Sequence, residues 1–157
     1  MPTPEGSPSQ ADVDPDLLLR RSARPRYAPQ ILVAIAVGGV LGTLARYAVS
    51  RIVHVAPDSF PWATFIVNVT GAFVLGVLLT LMIERWPPSR YARPFLAIGF
   101  LGAYTTFSTF MVEADLLVKD GAADVAVLYV AGSLVAGFVA VYLGIVVGRW
   151  RPRESGG

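Results

Sequence analysis

The sequence contains no cysteine, a single histidine and few charged residues. Without cysteine, the 157-residue chain has no disulfide, no thiolate nucleophile and no cysteine-ligated metal site. His54 alone cannot supply the histidine cluster that a transition metal requires. Charged residues make up 15% of the chain and hydrophobic residues 54%, with a mean hydropathy of +0.57. Soluble domains are about one-quarter charged, so this composition indicates an integral membrane protein.

Motifs of catalysis are also missing. The chain has no nucleophile–base pair, no phosphate-binding loop and no metal-ligand spacing, and we therefore predict that it is not an enzyme. The net charge of +2 and the pI near 9.2 are those of a basic protein. Most of the basic residues, however, flank apolar runs, where they anchor and orient membrane helices. We therefore expect membrane lipid around the chain and no nucleic-acid partner.

Four apolar runs dominate the sequence, at about residues 31–52, 62–83, 93–117 and 122–150. Each has about 20 residues or more, enough to cross about 30 Å of hydrocarbon at 1.5 Å per residue. The three tryptophans, Trp62, Trp86 and Trp150, fall at the ends of runs, as in the aromatic belt of a membrane protein. The sequence predicts an all-α integral membrane domain of four transmembrane helices over residues 30–150.

The two terminal segments are polar. Residues 1–29 hold half of the 12 prolines and are predicted to be a disordered leader, and residues 151–157 a short C-terminal tail. With four spans, the leader, the second loop and the tail lie on one side of the membrane. Ten arginines lie on that side: Arg20, Arg21, Arg24, Arg26, Arg85, Arg90, Arg93, Arg149, Arg151 and Arg153. The opposite side has only Arg46, Arg51 and Lys119, which predicts a multi-pass protein of the cell inner membrane with both termini in the cytoplasm.

The third run is a poor helix at its centre. It contains the stretch 99–110, Gly-Phe-Leu-Gly-Ala-Tyr-Thr-Thr-Phe-Ser-Thr-Phe. Its two glycines weaken a helix, and its serine and threonines hydrogen-bond their own backbone. Irregular backbone at membrane depth is tolerated only where it is buried in protein or lines a polar path. We therefore predict that the third helix is broken mid-span and that an ion site lies at the break.

Phe107 and Phe110 are three residues apart, so on a helix they share one face. An aromatic ring has a negative face and a positive edge, and two rings presented edge-on can stabilise a small anion without trapping it. The alternative is that both are core or lipid-facing side chains.

Polar side chains on the second and fourth runs offer further donors. Asn68, with Thr64 one turn before it, carries amide donors that suit an anion, or it joins helices by hydrogen bonds. Tyr129 and Ser133 place two hydroxyls on one face of the fourth run; the alternative is a tyrosine at the membrane interface.

Other candidate groups surround the break. If Gly102 and Thr105 lie where the third helix breaks, their carbonyls lose helical partners and are then suited to a hard cation such as Na⁺. Arg46 extends towards an aqueous mouth of the domain. Glu113 is a vestibule group, a proton-coupling carboxylate or a solvated residue at a helix end.

The residues from about 31 to 150 resemble those of the fluoride channels of the Fluc/CrcB type. The resemblance rests on Gly42 with Arg46, on the stretch 62–65 (Trp-Ala-Thr-Phe) leading to Asn68 and Gly71, and on the stretch 99–110. It implies a passive, fluoride-selective channel, built as an antiparallel dimer with two pores, that relieves fluoride toxicity by letting trapped fluoride leave the cell.

The resemblance also implies roles for individual residues. Phe107, Phe110 and Asn68 match pore-lining residues, and Tyr129 and Ser133 match a polar track on the fourth helix. Gly102 and Thr105 match the residues whose carbonyls hold a structural, non-transported Na⁺ on the dimer axis. The sequence departs from the family at Ala103-Tyr104, where members often have glycine and an apolar residue, and at Gly137, where some have serine.

Ten basic residues against three is a strong asymmetry for a chain that has to insert in both orientations. We therefore predict that the antiparallel partner is an oppositely oriented paralogue, with a dual-topology homodimer as the alternative. Two other functions compete with the channel: a proton-coupled small-solute transporter, which needs a carboxylate deep in a span, and a non-conducting accessory subunit.

Overall fold

The computed structural model describes residues 29–56, 59–84 and 89–150, and within these ranges every regular element is a helix. The elements are α1 (Pro29–Ile52), α2 (Trp62–Glu84), α3 (Pro94–Leu101, a π-helix), α4 (Gly102–Tyr104), α5 (Ser108–Lys119) and α6 (Ala123–Arg149). The elements α3, α4 and α5 together form the third span.

The prediction of four membrane-spanning helices is confirmed. Four segments are long and apolar enough to cross a bilayer: Pro29–Ile52, Trp62–Glu84, Pro94–Lys119 and Ala123–Arg149. The third of these is broken, as the sequence predicted. The predicted leader and tail lie outside the described residues, except for Pro29, which begins α1.

Glycines let α1 pack directly against α3 and α4. A Cβ on Gly38 would lie 2.3 Å from the carbonyl oxygen of Phe95, and a Cβ on Gly42 would lie 2.2 Å from that of Phe100. Both distances are far shorter than any real contact of a Cβ atom. Small residues at these positions therefore bring two backbones together, the usual way to pack helices in a membrane, where no hydrophobic force acts between helices.

A second glycine contact joins α2 to α6. A Cβ on Gly76 would lie 2.4 Å from the carbonyl oxygen of Val141, and a Cβ on Gly144 would lie 2.2 Å from that of Phe73. At one end of this pair, Arg149 Nε donates to Glu84 Oε1 at 3.0 Å. The four spans thus form two backbone-to-backbone pairs.

Most of the apolar surface faces outwards. In each span, at most 28% of the residues in the most apolar 18-residue stretch are buried inside the chain. Val33, Val127 and Phe138 are among the large side chains left exposed. Apolar surface on this scale needs lipid or a second protein chain to cover it.

Replacing Gly42 with alanine is expected to destabilise the fold by about 1–3 kcal/mol, because the added methyl forces α1 away from α3. Thermal unfolding of the purified protein in detergent measures the loss. Gly39→Ala is the matched control, since nothing lies within 4 Å of a Cβ at that position. Equal melting temperatures for the two variants would contradict the packing described here.

Candidate functional site

The third span loses its helical conformation at Thr105. That residue is extended, with φ −77° and ψ 157°, whereas Gly102, three residues earlier, is still helical at φ −62° and ψ −29°. Phe107 returns to the helical region, and α5 begins at Ser108. The break therefore covers residues 105–107, near the middle of the span.

Asn68 on α2 pairs with the backbone at the break. Its Nδ2 donates to the carbonyl oxygen of Thr106 at 3.0 Å, and its Oδ1 accepts the N–H of Thr106 at 2.9 Å. We call this two-bond pairing the Asn68 clamp. The clamp pairs the N–H and the carbonyl of Thr106, which lies outside any helix and so has no helical partners. Unpaired backbone groups cost several kcal/mol each in hydrocarbon. Joining helices is therefore one role of Asn68, and the second N–H of its Nδ2 is not used in the clamp.

The clamp changes the hydrogen bonding of the two carbonyls named from the sequence. In a continuous helix, Gly102 would receive the N–H of Thr106, and Thr105 would receive that of Thr109. The N–H of Thr106 instead bonds Asn68, and the N–H of Thr109 donates to the hydroxyl of Thr106 at 3.2 Å. The Gly102 and Thr105 carbonyls have thus lost their usual helical donors.

Both residues line a concave surface on the outside of the chain. A cavity of about 390 Å³ is bordered by residues of α2 and of the third span: Asn68, Gly71, Ala72, Leu75, Ala97, Leu101, Gly102, Thr105, Thr106 and Phe107. A Cβ on Gly102 would meet only the carbonyl oxygen of Ala97, at 3.9 Å. Packing within one chain therefore does not explain why residue 102 is a glycine.

Glu113 accepts hydrogen bonds from two other helices. The hydroxyl of Thr64 on α2 donates to Oε1 at 2.9 Å, and the hydroxyl of Tyr129 on α6 donates to Oε2 at 2.8 Å. Tyr129 is completely buried and Thr64 nearly so, while Glu113 is half-buried. Glu113 is thus bonded to two neighbouring helices, and Tyr129 is covered by protein on all sides.

Phe107 and Phe110 lie close together but in different surroundings. Their ring centroids are 6.2 Å apart, with 38° between the ring planes. Phe110 is 7% exposed, and its ring lies 4.8 Å from that of Tyr129, whereas Phe107 is 75% exposed at the edge of the outer cavity. Ser133, one turn along α6 from Tyr129, has a buried hydroxyl that makes no hydrogen bond within the described part of the chain.

A second cavity, of about 310 Å³, lies between α1, α2 and α5. Arg46 and Glu113 both line it, together with Thr43, Tyr47, Ser50, Ala63, Thr64, Val67, Thr106 and Thr109. The Arg46 Nε is buried and has no hydrogen-bond partner among residues 29–56, 59–84 and 89–150. Arg46 thus supplies a positive charge to the same cavity that contains the Glu113 carboxylate.

Sequence reasoning missed one residue of this site, Phe60. The ring of Phe60 packs edge-on against Tyr129 at 5.3 Å and 82°, and covers it from the loop before α2. The hydroxyl of Thr106 accepts the Thr109 N–H at the start of α5, in line with the prediction that the threonines of this stretch hydrogen-bond their own backbone. Nothing in the sequence around Phe60 indicates its contact with α6.

The fold and the site define a small multi-pass membrane protein with a polar site built around a helix break. Residues 33–145 match the family model described as "CrcB-like protein, Camphor Resistance (CrcB)". The chain belongs to the CrcB family.

Several relatives carry a descriptive name. "Fluoride-specific ion channel FluC 3" of Streptomyces avermitilis is 51% identical over 126 residues, which cover 80% of this chain and 62% of that protein. "Fluoride-specific ion channel FluC 2" of Nocardia farcinica is 46% identical over 80% of this chain and 90% of its own length. "Fluoride-specific ion channel FluC" of Chlorobium luteolum is 44% identical over 77% of this chain and 94% of its own length.

Replacing Asn68 with leucine is expected to lower the melting temperature in detergent markedly. The substitution leaves the N–H and the carbonyl of Thr106 without partners, at about 1–3 kcal/mol for each buried group. Thr43→Val serves as the control, since Thr43 is exposed on α1. If Asn68→Leu unfolds at the same temperature as the control, the clamp does not support the break.

Proposed function

We propose that this chain is a subunit of a passive, fluoride-selective channel that lets cytoplasmic fluoride leave the cell and so reduces its toxicity. The observation that carries the proposal is the match of residues 33–145, which contain the broken span, to a family whose relatives are named fluoride-specific ion channels. A passive channel changes no covalent bond, so we assign no catalytic residue.

Fluoride is small and strongly hydrated, so a pore has to replace its water with other donors. The candidate donors are the second N–H of Asn68 and the hydroxyl of Ser133. Thr64 and Tyr129 lie beside the proposed path, and each donates its single hydroxyl proton to Glu113. Of the two candidate donors, the buried Ser133 hydroxyl has no partner in the described part of the chain and is therefore free to bind an anion.

The ring edges of Phe107 and Phe110 add weak positive potential without a full positive charge. A full charge would bind the ion too tightly for it to leave, and conduction requires binding that is favourable but weak. Arg46, in the second cavity, is placed to attract anions at the mouth of the pore, and Glu113 orients the hydroxyls of Thr64 and Tyr129.

A second chain completes the pores in this proposal. Phe107 is 75% exposed, and the outer cavity beside it is open, so both are available to a neighbouring subunit. The assembly is an antiparallel dimer, formed either with a second copy or with an oppositely oriented paralogue. The ten-to-three distribution of basic residues favours the paralogue and supports a cytoplasmic location of both termini.

A structural Na⁺ fits the carbonyls of Gly102 and Thr105. Both have lost their helical donors, and carbonyl oxygens are ligands that a hard cation accepts. Two carbonyls from each subunit would give four ligands to an ion on the dimer axis. The ion would hold the two broken spans together and would not be transported.

Liposomes loaded with potassium fluoride test the channel directly. After valinomycin is added, we expect rapid fluoride efflux with chloride retained. Efflux from liposomes containing this chain alone supports a homodimer, whereas efflux that appears only when a paralogue is co-expressed and reconstituted supports a heterodimer. The absence of fluoride efflux in both preparations would overturn the channel.

A proton-coupled small-solute transporter is the second candidate, because Glu113 is a half-buried carboxylate that contacts two other helices.

In a channel, Phe110→Ile should lower fluoride flux about tenfold, the factor that corresponds to losing about 1.4 kcal/mol of ring-edge interaction. The control Phe138→Ile, at a ring that is exposed on α6, should leave the flux unchanged.

The Glu113→Gln variant separates the two candidates. A channel with this substitution should still conduct fluoride down its gradient, since no proton has to be carried. Loss of all transport in Glu113→Gln, combined with normal transport in Phe110→Ile, would favour the transporter and contradict the channel.

A further inference from the structure

A groove of about 410 Å³ lies at the C-terminal end of α6 and shares no residue with either cavity described above. It is lined by Val146, Val147, Arg149 and Trp150. The two valines are about half exposed, and Trp150 is 78% exposed. The groove thus combines apolar side chains, a cation and an aromatic ring at the point where the fourth span ends, and the proposed fluoride path uses none of them.

The order of these residues along α6 matches the layers of a bilayer. Each residue of a helix rises 1.5 Å, so Arg149 and Trp150 lie about 3–6 Å further along the axis than the two valines. Valine is apolar and suits acyl chains, whereas tryptophan and arginine are typical of the interfacial layer. A lipid lying along the end of α6 therefore meets an apolar surface beside its chains and a cation beside its headgroup.

An ion pair holds the guanidinium of Arg149 at the rim of the groove. Its Nε donates to Oε1 of Glu84 on α2 at 3.0 Å, and the Arg149 side chain is nevertheless 66% exposed. A guanidinium carries five N–H donors in a planar fork that matches the oxygens of a phosphate. Arg149 is therefore an ordered and accessible cation of the kind that a phosphate group binds.

The charge around the groove favours an anion. Three arginines and one glutamate lie at this end of the described spans: Arg90, Arg93, Arg149 and Glu84. Arg93 also reaches the last turn of α2, where its Nη2 donates to the carbonyl of Met82 at 3.4 Å. In the sequence, four more charged residues lie within five positions of these helix ends: Arg85, Arg151, Arg153 and Glu154. Positive charge thus exceeds negative charge on this side of the groove.

The opposite end of the spans has no such excess. Apart from the two charged residues that line the second cavity, its described charged residues are two cations and three aspartates: Arg51, Lys119, Asp115, Asp120 and Asp124. There Lys119, also 66% exposed, pairs with Asp115 at 2.6 Å. An anionic headgroup is therefore attracted to the end that carries Arg149 and not to the end that carries the aspartates.

We propose that the groove at the end of α6 binds an anionic phospholipid, with a phosphate oxygen on the Arg149 guanidinium and an acyl chain along Val146 and Val147. A zwitterionic phospholipid has the same chains, but the cation in its headgroup cancels the charge of its phosphate. The site therefore distinguishes lipids by the net charge of the headgroup. This inference does not depend on the fluoride channel, which stands or falls by fluoride efflux.

The test is a titration of the purified protein in a non-ionic detergent with phosphatidylglycerol or phosphatidylcholine of the same acyl chains, with thermal unfolding as the readout. We expect phosphatidylglycerol to raise the melting temperature to a plateau and phosphatidylcholine to raise it much less. In Arg149→Gln, the phosphatidylglycerol concentration for half-maximal stabilisation should rise about fivefold. That factor corresponds to about 1 kcal/mol for one arginine beside an anionic membrane surface.

Two variants control for the loss of the ion pair. Arg149→Gln also breaks the pair with Glu84, so the lipid midpoint, and not the melting temperature itself, is the measure. Glu84→Gln breaks the same pair but keeps the cation, and its midpoint should fall, because a negative charge is removed from the groove. Lys119→Gln removes an equally exposed, ion-paired cation at the opposite end and should leave the midpoint unchanged.

Several results would overturn the inference. If Arg149→Gln keeps the midpoint of the unchanged protein, if Glu84→Gln raises it, or if phosphatidylcholine stabilises equally well, the groove does not recognise an anionic headgroup through Arg149. If inorganic phosphate at the same concentration gives the same stabilisation, the groove binds a dissolved anion and not a lipid. If Arg149→Gln converts a dimer to a monomer in size-exclusion chromatography without added lipid, a second chain covers the groove instead.

Discussion

Two hydrogen bonds between the Asn68 side chain and the Thr106 backbone make the rest of the site possible. Hydrocarbon offers no water to pair with a broken helix, so a break needs a donor and an acceptor in the right places. A carboxamide supplies both from one side chain: its oxygen accepts the N–H of Thr106, and its nitrogen donates to the carbonyl. Aspartate of the same length cannot donate when ionised, and leucine can do neither.

The other polar features follow from that pairing. Because the N–H of Thr106 is bound to Asn68, the Gly102 carbonyl loses its helical donor, and Thr106 becomes the capping residue whose hydroxyl takes the N–H of Thr109. The new start of α5 places Phe110 inwards beside Tyr129 and Phe107 outwards on the surface. One amide thus connects the proposed cation site with the proposed anion path.

Much of this could be read from the sequence, and the reasons for the rest are physical. The four spans and the break followed from hydropathy and from the glycines and hydroxyls of residues 99–110. Spacing placed Tyr129 and Ser133 on one face, but it could not tell that Tyr129 is buried, since burial depends on how α5 and α6 pack. The double hydrogen bonding of Glu113 joins residues 64, 113 and 129, and single-sequence patterns carry no information about contacts between such distant positions.

The glycine contacts between α1 and the third span have a consequence for the surrounding bilayer. Where a backbone rests directly on another backbone, as Gly42 does on Phe100, there is no flexible side chain to absorb a sliding or tilting motion. Membranes of different thickness usually act on a helical protein by tilting its helices. In this protein a tilt of α1 would have to carry α3 and α4 with it as one body. The geometry of the break should therefore not depend on the thickness of the surrounding bilayer. A difference between the thickness of the bilayer and the length of the spans would be accommodated at the apolar outer surface.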